Sequence, residues 1–211
     1  MNPRIICIVE GYGDVRALPV LVRRLAQEMQ RFDVDVPPPI RCPKSKIVRK
    51  GDEIQTEELA RVLRLATAKL GGPSRGAVLI LLDADDACPA ILGPRLLDAA
   101  TSIRSDVCIS VVLAKREYEA WFVAAIESLK HSGKFSPEAA THPDPESLSD
   151  PKGYLSRRMR PELTYSEPVD QPALTQGFDL DQASSCASFQ KCRREIEKLL
   201  HHVSGNQPQD T

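Results

Sequence analysis

Several motifs that mark common classes of protein are missing from this sequence of 211 residues. It has no C-x-x-C pair and no H-x-x-x-H spacing, which are patterns of many zinc sites. It has no G-x-G-x-x-G or Walker loop, which disfavours a nucleotide-binding enzyme on a doubly wound sheet. No stretch approaches the ~20 apolar residues of a membrane span, and the first residues lack a signal-peptide layout. We therefore expect a cytoplasmic protein without membrane contact.

The chain also lacks a strong net charge, because 28 basic and 29 acidic residues leave a formal charge of -1. Any contact with nucleic acid then has to come from a local basic patch rather than from the field of the whole molecule. The six cysteines are scattered along the chain. In a cytoplasmic protein they are expected to be reduced and structural.

Apolar runs alternate with amphipathic segments through the first 130 residues. The predicted strands are 4–9, 77–82 and 107–113, with a short fourth strand at 32–36, and the predicted helices are 14–31, 52–70, 94–104 and 115–130. Asp14 is the expected N-cap of the first helix, and Gly71-Gly72-Pro73 is the expected stop of the second. Alternating strands and helices predict an α/β fold with a parallel sheet of about four strands flanked by helices.

The remaining residues predict an extension packed on this α/β domain. We place the domain at 1–130, the extension at 131–203 and a disordered polar tail at 204–211. Within the extension, 131–150 is rich in Pro, Ser, Asp and Glu and is expected to be a mobile loop. Residues 150–180 are expected to be irregular, and 188–202 to form a final helix capped by Ser188.

Acidic side chains follow three of the predicted strands. Glu10 ends the first, Asp83 and Asp85 follow the strand at 77–82, and Glu117 or Glu119 follows the next. Each acid alone has a simpler interpretation as a turn residue or a solvated charge. Because parallel strands end at the same edge of a sheet, however, the three groups are expected to lie together, and carboxylates are the ligands that Mg²⁺ prefers. The sequence therefore predicts a metal site at this edge.

Two basic segments are candidates for binding nucleic acid. A basic cluster begins the C-terminal segment, where it would neutralise a phosphate or bind a nucleic-acid backbone; it consists of Lys152, Arg157, Arg158 and Arg160, with Lys152 as the first candidate. The loop from Arg41 to Lys50 offers a second set of positive charges. For both segments a solvated basic surface is the alternative interpretation.

The acidic residues occur in a pattern that resembles Toprim domains, which are found in topoisomerases, primases and nucleases of the overcoming-lysogenization-defect class. More closely, the chain resembles small bacterial Toprim-like proteins classed as a domain of unknown function, DUF4276, over about residues 4–200. The segments that carry this resemblance are Ile8-Val9-Glu10-Gly11, Leu82-Asp83-Ala84-Asp85, Glu119-Ala120-Trp121-Phe122, Lys152-Gly153-Tyr154-Leu155 and Ser188-Phe189. Trp121 and Phe122 are expected to anchor the core rather than to stack on bases.

The resemblance implies a Toprim-like, Rossmannoid sheet and a phosphoryl-transfer centre that depends on Mg²⁺ or Mn²⁺. Glu10 would be a general acid or base, or a group that organises the metal, while Asp83 and Asp85 would hold the cation. Glu119 matches the late acidic position better than Glu117, since it directly precedes the Ala-Trp-Phe segment. Members of the family often occur beside ATPases in what look like bacterial phage-defence or genome-maintenance modules, which implies an ATPase partner.

Two functions from different classes follow. The first is a metal-dependent DNA or RNA endonuclease in which Glu10 and Lys152 are catalytic and Glu10, Asp83, Asp85 and Glu119 bind metal. A topoisomerase fits less well, because no tyrosine of the chain lies in a recognisable cleavage module. The second is a non-catalytic or regulatory subunit that docks on a partner ATPase, for which the small net charge is the main support.

Overall fold

The computed structural model describes residues 2–71 and 76–205. Its strands are β1 (Arg4–Val9), β2 (Ile40–Arg41), β3 (Val48–Arg49), β4 (Glu53–Ile54), β5 (Gly76–Asp83) and β6 (Cys108–Ala114). Its α-helices are α1 (Tyr12–Glu28), α2 (Lys44–Ile47), α3 (Thr56–Leu70), α4 (Pro89–Ile103), α5 (Glu119–Ala124), α6 (Ile126–Leu129), α7 (Pro151–Ser156), α8 (Glu167–Gly177), α9 (Leu180–Ala183) and α10 (Ala187–Gly205).

Four strands form one parallel sheet in the order β2-β1-β5-β6, which confirms the predicted α/β class. β1 and β5 are apolar almost throughout because both of their faces are covered. Helices α1 and α10 pack on one face, and α3 and α4 pack on the other. The register sets Val9 opposite Leu81 and Asp83 opposite Ala114, so the carboxyl ends of the three long strands lie at one edge.

The first helix begins two residues earlier than the sequence predicts. Gly11 is its N-cap, and Asp14, predicted as the cap, is the third helical residue. The Asp14 carboxylate accepts a hydrogen bond from the Gly11 N–H at 2.9 Å, so the acid closes the first turn from inside the helix. Pro19 lies within α1 without ending it.

The predicted strand at 32–36 is wrong. Only Asp35 makes a bridge there, to Arg4, and Phe32 is 78% exposed. The fourth strand is β2, which follows Pro37-Pro38-Pro39 and pairs with β1. Prolines donate no backbone hydrogen bond, so the regular ladder forms only beyond them.

The helix predicted to begin at residue 115 starts only at Glu119. The Asp85 N–H donates to the Arg116 carbonyl at 3.0 Å, which extends the sheet contact past the end of β6. Arg116 has a φ of 63°, in the left-handed region, so the chain turns there before α5 begins. The helix predicted at 94–104 instead begins at Pro89, and the one predicted from 52 begins at Thr56.

The prediction of irregular structure for 150–180 is also wrong, because α7 and α8 lie there. The sequence of α8 is misleading because it contains two prolines and buries the polar side chains of Asp170, Gln171 and Thr175. Pro168 is tolerated since it occupies the first turn, where its missing N–H has no helical partner. Helix α8 packs along α1.

Helix α10 is capped by a residue distant in sequence rather than by Ser188. The buried Glu146 carboxylate accepts hydrogen bonds from the Ala187 and Ser188 N–H groups at 3.1 and 2.9 Å. The Ser188 hydroxyl accepts a bond from the indole N–H of Trp121 at 2.8 Å. Trp121 and Phe122 are 0% exposed, which confirms that they anchor the core.

The remaining predictions concern chain ends and cysteines. Gly71 ends α3 in the left-handed conformation as predicted, whereas Gly72 and Pro73 lie outside the described residues. Helix α10 continues through Gly205, and the rest of the predicted tail lies outside them too. All six cysteines are free thiols. No helix in the described ranges is long and apolar enough to cross a membrane.

Candidate functional site

A polar cavity of about 260 Å³ opens at the carboxyl edge of the sheet. Seven carboxyl groups, one ammonium group, one amide and one glycine line it: Glu10, Gly11, Asp14, Asp83, Asp85, Glu117, Glu119, Lys152, Glu167 and Gln171. The sheet register is the reason that distant parts of the chain meet here. All four residues predicted to bind metal line this one cavity, and so do both predicted catalytic residues.

The acidic residues at the ends of β1 and β5 are positioned by backbone N–H groups and by one lysine side chain. One oxygen of Asp83 accepts a hydrogen bond from the Tyr118 N–H at 2.9 Å. Glu10 Oε1 accepts from the Lys44 N–H at 3.2 Å. Asp85 has a φ of 51° in the left-handed region, and its carboxylate forms an ion pair with Lys44.

Lys44 ties the loop after β2 to the end of β5. Its ammonium donates to the carbonyls of Asp83 and Ala84 at 2.8 and 3.0 Å, in addition to the Asp85 carboxylate. Sequence reasoning placed Lys44 in a basic loop but assigned it no contact with the acidic edge. The short helix α2 supplies the missing geometry, because its first residue, Lys44, contacts both Glu10 after β1 and Asp83 at the end of β5.

The alternative between Glu117 and Glu119 is not exclusive, because both side chains line the cavity. Glu119 is 1% exposed and accepts a hydrogen bond from the Tyr165 hydroxyl at 2.7 Å. The Lys152 ammonium lies 3.8 Å from Glu117 and 4.0 Å from Glu119. It lies closer, at 2.9 Å, to Glu167 of α8.

Helix α8 contributes a wall that the sequence did not reveal. The Gln171 amide donates to Asp14 at 2.7 Å, and Gly13 N–H donates to Glu167 at 3.3 Å. Asp14, Glu167 and Gln171 were therefore missed as site residues. No local signal identified them, because the contacts join residues more than 150 positions apart.

Burial makes ionised carboxylates costly in this cavity. It raises the pKa of Glu10, Asp14, Asp83 and Glu117 above their ordinary values, and it is the largest cause in each case. For Asp83 the neighbouring carboxylates add to the effect and raise the pKa well above its usual value. The pKa of Glu119 is raised to about 7, with burial opposed by Lys152. Clustered groups with such shifts are typical of functional sites.

Lys152 stays charged in this environment. Burial alone would lower the pKa of its ammonium, but the carboxylates of Glu119, Glu167 and Glu117 outweigh burial and raise it. The cavity thus holds one firmly protonated cation among seven acids. That excess of acids is electrostatically suited to a further positive charge.

The oxygen donors of the cavity are carboxylates, the kind of ligand that hard divalent cations take. Glu10, Glu117 and Glu119 each have one buried carboxylate oxygen without a hydrogen-bond partner among the described residues. Within residues 2–71 and 76–205, no group of three or more His, Cys, Asp or Glu side chains has a geometry that could hold a metal ion. Lys44 and Lys152 instead contact the carboxylates. A buried oxygen without a partner lowers the stability of the fold unless a proton or a cation binds to it.

Arg157 and Arg158, predicted to bind nucleic acid, line no part of the cavity. Arg157 lies 3.4 Å from Asp150, and the Arg158 guanidinium lies 3.3 Å from the centre of the Tyr154 ring. Of the predicted basic cluster, only Lys152 reaches the acidic edge.

The packing of α8 against α1 makes Gly13 a sensitive position. A methyl group there would collide with the Gln171 side chain and with Glu167, so Gly13→Ala is expected to lower the free energy of unfolding by about 1–3 kcal/mol. Gly177→Ala at the last residue of α8 is the matched control, since an added methyl there meets no described atom within 4 Å beyond its chain neighbours and its own helix backbone. It should leave stability unchanged or raise it by up to ~1 kcal/mol. Urea denaturation of both variants measures the difference, and equal midpoints would contradict this packing.

Comparisons with known proteins place the chain in a family. Among curated proteins there is no match. Among solved structures, the C-terminal region of the Xanthomonas campestris pv. campestris OLD protein is similar at 14% identity and a TM-score of 0.41, with 95% of this chain and 94% of that chain covered. The profile of a domain of unknown function, DUF4276, matches residues 9–197. Since this match spans most of the sequence, the chain belongs to the DUF4276 family.

Proposed function

We propose that this protein is a phosphodiester hydrolase that depends on Mg²⁺ or Mn²⁺ and cuts DNA or RNA. The observation that carries the proposal is the set of buried, unpartnered carboxylate oxygens on Glu10, Glu117 and Glu119, which share one cavity with Lys152. Oxygen ligands of this kind suit hard divalent cations. The resemblance of the acidic motifs to Toprim domains supports the same class of reaction.

In this proposal Glu10, Asp83, Asp85 and Glu119 hold the cation, and Glu117 is an additional oxygen donor on the same wall. When bound, the cation would polarise a phosphate oxygen and lower the pKa of a bound water. The protein's own residues prepare the site. Tyr118 N–H orients Asp83, and the Lys44 ammonium holds Asp85 at the end of β5.

Glu10 is suited to handling a proton. One of its oxygens accepts a hydrogen bond from the Lys44 N–H, while the other is buried without a partner among the described residues, and burial raises the pKa of the carboxyl group above its ordinary value. Lys152 would place its ammonium against the scissile phosphate and offset its charge. Arg157 and Arg158, outside the cavity, would contact the nucleic-acid backbone further along.

The alternative is a non-catalytic or regulatory subunit that docks on a partner ATPase. Buried acids with raised pKa values lower the stability of the fold at neutral pH. If the edge of the sheet had only a structural role, neutral side chains there would give a more stable protein. For that reason we favour the hydrolase. A partner ATPase is compatible with it and belongs to the same proposal.

The test is a cleavage assay on plasmid DNA, single-stranded DNA and RNA with Mg²⁺, Mn²⁺ or EDTA. We expect strand cleavage only with a divalent cation, and a loss of roughly 100-fold or more in Glu10→Gln. Glu57→Gln, an exposed acid on α3, should retain full activity. If folded protein leaves every substrate intact with either ion, both alone and together with a partner ATPase, the proposal fails.

A further inference from the structure

An exposed aromatic side chain stands beside the acidic cavity. Tyr12, the first residue of α1, is 66% exposed, although it lies only two residues after Glu10 and next to Gly11 of the cavity wall. Its hydroxyl has no hydrogen-bond partner among the described residues, and its ring belongs to neither hydrophobic core. An aromatic ring exposed at this place adds little to the core and leaves its surface free for contact with a ligand.

Arg41 makes this ring part of a platform. The Arg41 guanidinium lies 4.1 Å from the centre of the Tyr12 ring, and it also contacts the Glu10 carbonyl at 3.5 Å. Arg41 is held in β2 opposite Val9, and Tyr12 is the first residue of α1, so regular elements position both members of the pair. The pair is therefore fixed relative to the cavity rather than carried on a long loop.

Arg41 begins a basic segment whose charge is opposite to that of the cavity. Arg41, Lys46, Arg49 and Lys50 are exposed, and none of the four forms an ion pair with an acid in the described part of the chain. A polyanion repelled by the seven carboxyl groups would be attracted by Arg41, which contacts the Glu10 carbonyl. Arg41 and the Tyr12 ring thus offer a phosphate contact and a flat apolar face at the same place.

A second Tyr-Arg pair shows what a structural pair looks like in this protein. The Tyr154 ring under Arg158 is only 6% exposed, and its hydroxyl donates to the Ala140 carbonyl at 2.9 Å. Both the ring and the hydroxyl of Tyr154 therefore make contacts within the fold. Tyr12 has neither the burial nor the hydroxyl contact, which distinguishes it from a pair that only stabilises local structure.

We propose that Tyr12 and Arg41 form a stacking platform for an unpaired nucleobase, so that the enzyme binds single-stranded nucleic acid with the neighbouring phosphate directed to the acidic cavity. This inference rests on the proposed function and adds the substrate class. Bases in a duplex are stacked on each other, so only an unpaired base can present its face to a tyrosine ring. The Arg41 guanidinium lies over the Tyr12 ring and can also bind a phosphate group.

The test measures binding rather than cleavage. Fluorescence anisotropy at fixed salt, in EDTA and in Ca²⁺, compares a labelled single-stranded oligonucleotide with a blunt duplex of the same length. Tyr12→Ala is expected to weaken single-strand binding about tenfold and duplex binding much less, while Tyr12→Phe stays close to wild type. Arg41→Ala should also weaken single-strand binding, and Arg64→Ala, which removes an exposed arginine of α3 outside both basic segments, should not.

Several results would overturn the platform. They are no single-strand binding by the wild-type protein, equal affinity in Tyr12→Ala and wild type, equal losses for single strand and duplex, and competition by poly-glutamate as strong as that by the oligonucleotide. The last would identify a general anion contact. If Tyr12-dependent binding is found but nothing is cut, the hydrolase fails and the platform stands. If nucleic acid is cut while Tyr12→Ala binds normally, the platform fails and the hydrolase stands.

Discussion

Replacing Asp83 by asparagine is expected to stabilise the metal-free protein while it abolishes cleavage. Burial and the nearby carboxylates of Glu119 and Asp14 raise the pKa of Asp83 well above its usual value, so its negative charge opposes folding at neutral pH. Asparagine removes the charge but keeps an oxygen for the Tyr118 N–H. Under the proposed function the same change removes a ligand of the cation, and activity should fall roughly 100-fold or more.

Thermal unfolding in EDTA and in Mg²⁺ measures the first half of this prediction. Asp83→Asn should unfold at a higher temperature than wild type in EDTA, and added Mg²⁺ should stabilise it less than it stabilises wild type. Asp86→Asn on the same loop is the control, because the Asp86 side chain is 95% exposed and lies outside the acidic cavity. A variant that is less stable than wild type in EDTA would show that Asp83 is a structural acid, and full activity would remove it from the metal site.

Raising the pH should weaken the metal-free protein through Glu119. Its pKa rises from 4.5 to about 7 on folding, so the folded state holds the proton more tightly than the unfolded chain does. The contribution is therefore greatest below the unfolded pKa and is lost as the pH rises through the folded one. The expected loss in the free energy of unfolding between about pH 5 and pH 8 is on the order of 3 kcal/mol.

Glu119→Gln should flatten this pH dependence, because glutamine can accept the Tyr165 hydrogen bond without titrating. Glu127→Gln on α6, where the side chain is half exposed and paired with Lys130, should leave it unchanged. Urea denaturation across this pH range in EDTA gives the comparison. A wild-type protein that gains stability through pH 7, or a Glu119→Gln variant with the same slope, would contradict this account.

The position of the acidic edge was predictable from the sequence because it depends on local patterns: where each strand ends and which residue follows it. Apolar runs identified the central strands, parallel pairing aligned their ends, and Glu10, Asp83 and Asp85 follow those ends directly. Glu119 and Glu117 were predicted as alternatives, but the turn at Arg116 brings both into the cavity. Which of two neighbouring acids faces a site depends on such a turn, and residue spacing alone does not determine it.

The other wall of the cavity was not predictable in this way. Gln171 and Glu167 belong to a helix with a weak apolar pattern, and they meet α1 only through packing across the whole chain. The contact of Lys44 with the acidic edge was not predictable for a different reason. A basic loop has no periodicity that would indicate which of its lysines points toward the sheet. Where a contact depends on long-range packing rather than on period or capping, a single sequence contains little information about it.

The closure of the cavity by α8 also has a consequence for synthesis. Residues 10–14 leave the ribosome long before residues 167–171, so a growing chain carries Asp14 without its Gln171 partner and has an acidic edge open to water. Non-local contacts of this kind form late in folding, after the local ones. The enclosed cavity, and whatever affinity for a cation it confers, therefore comes into being only after translation of α8.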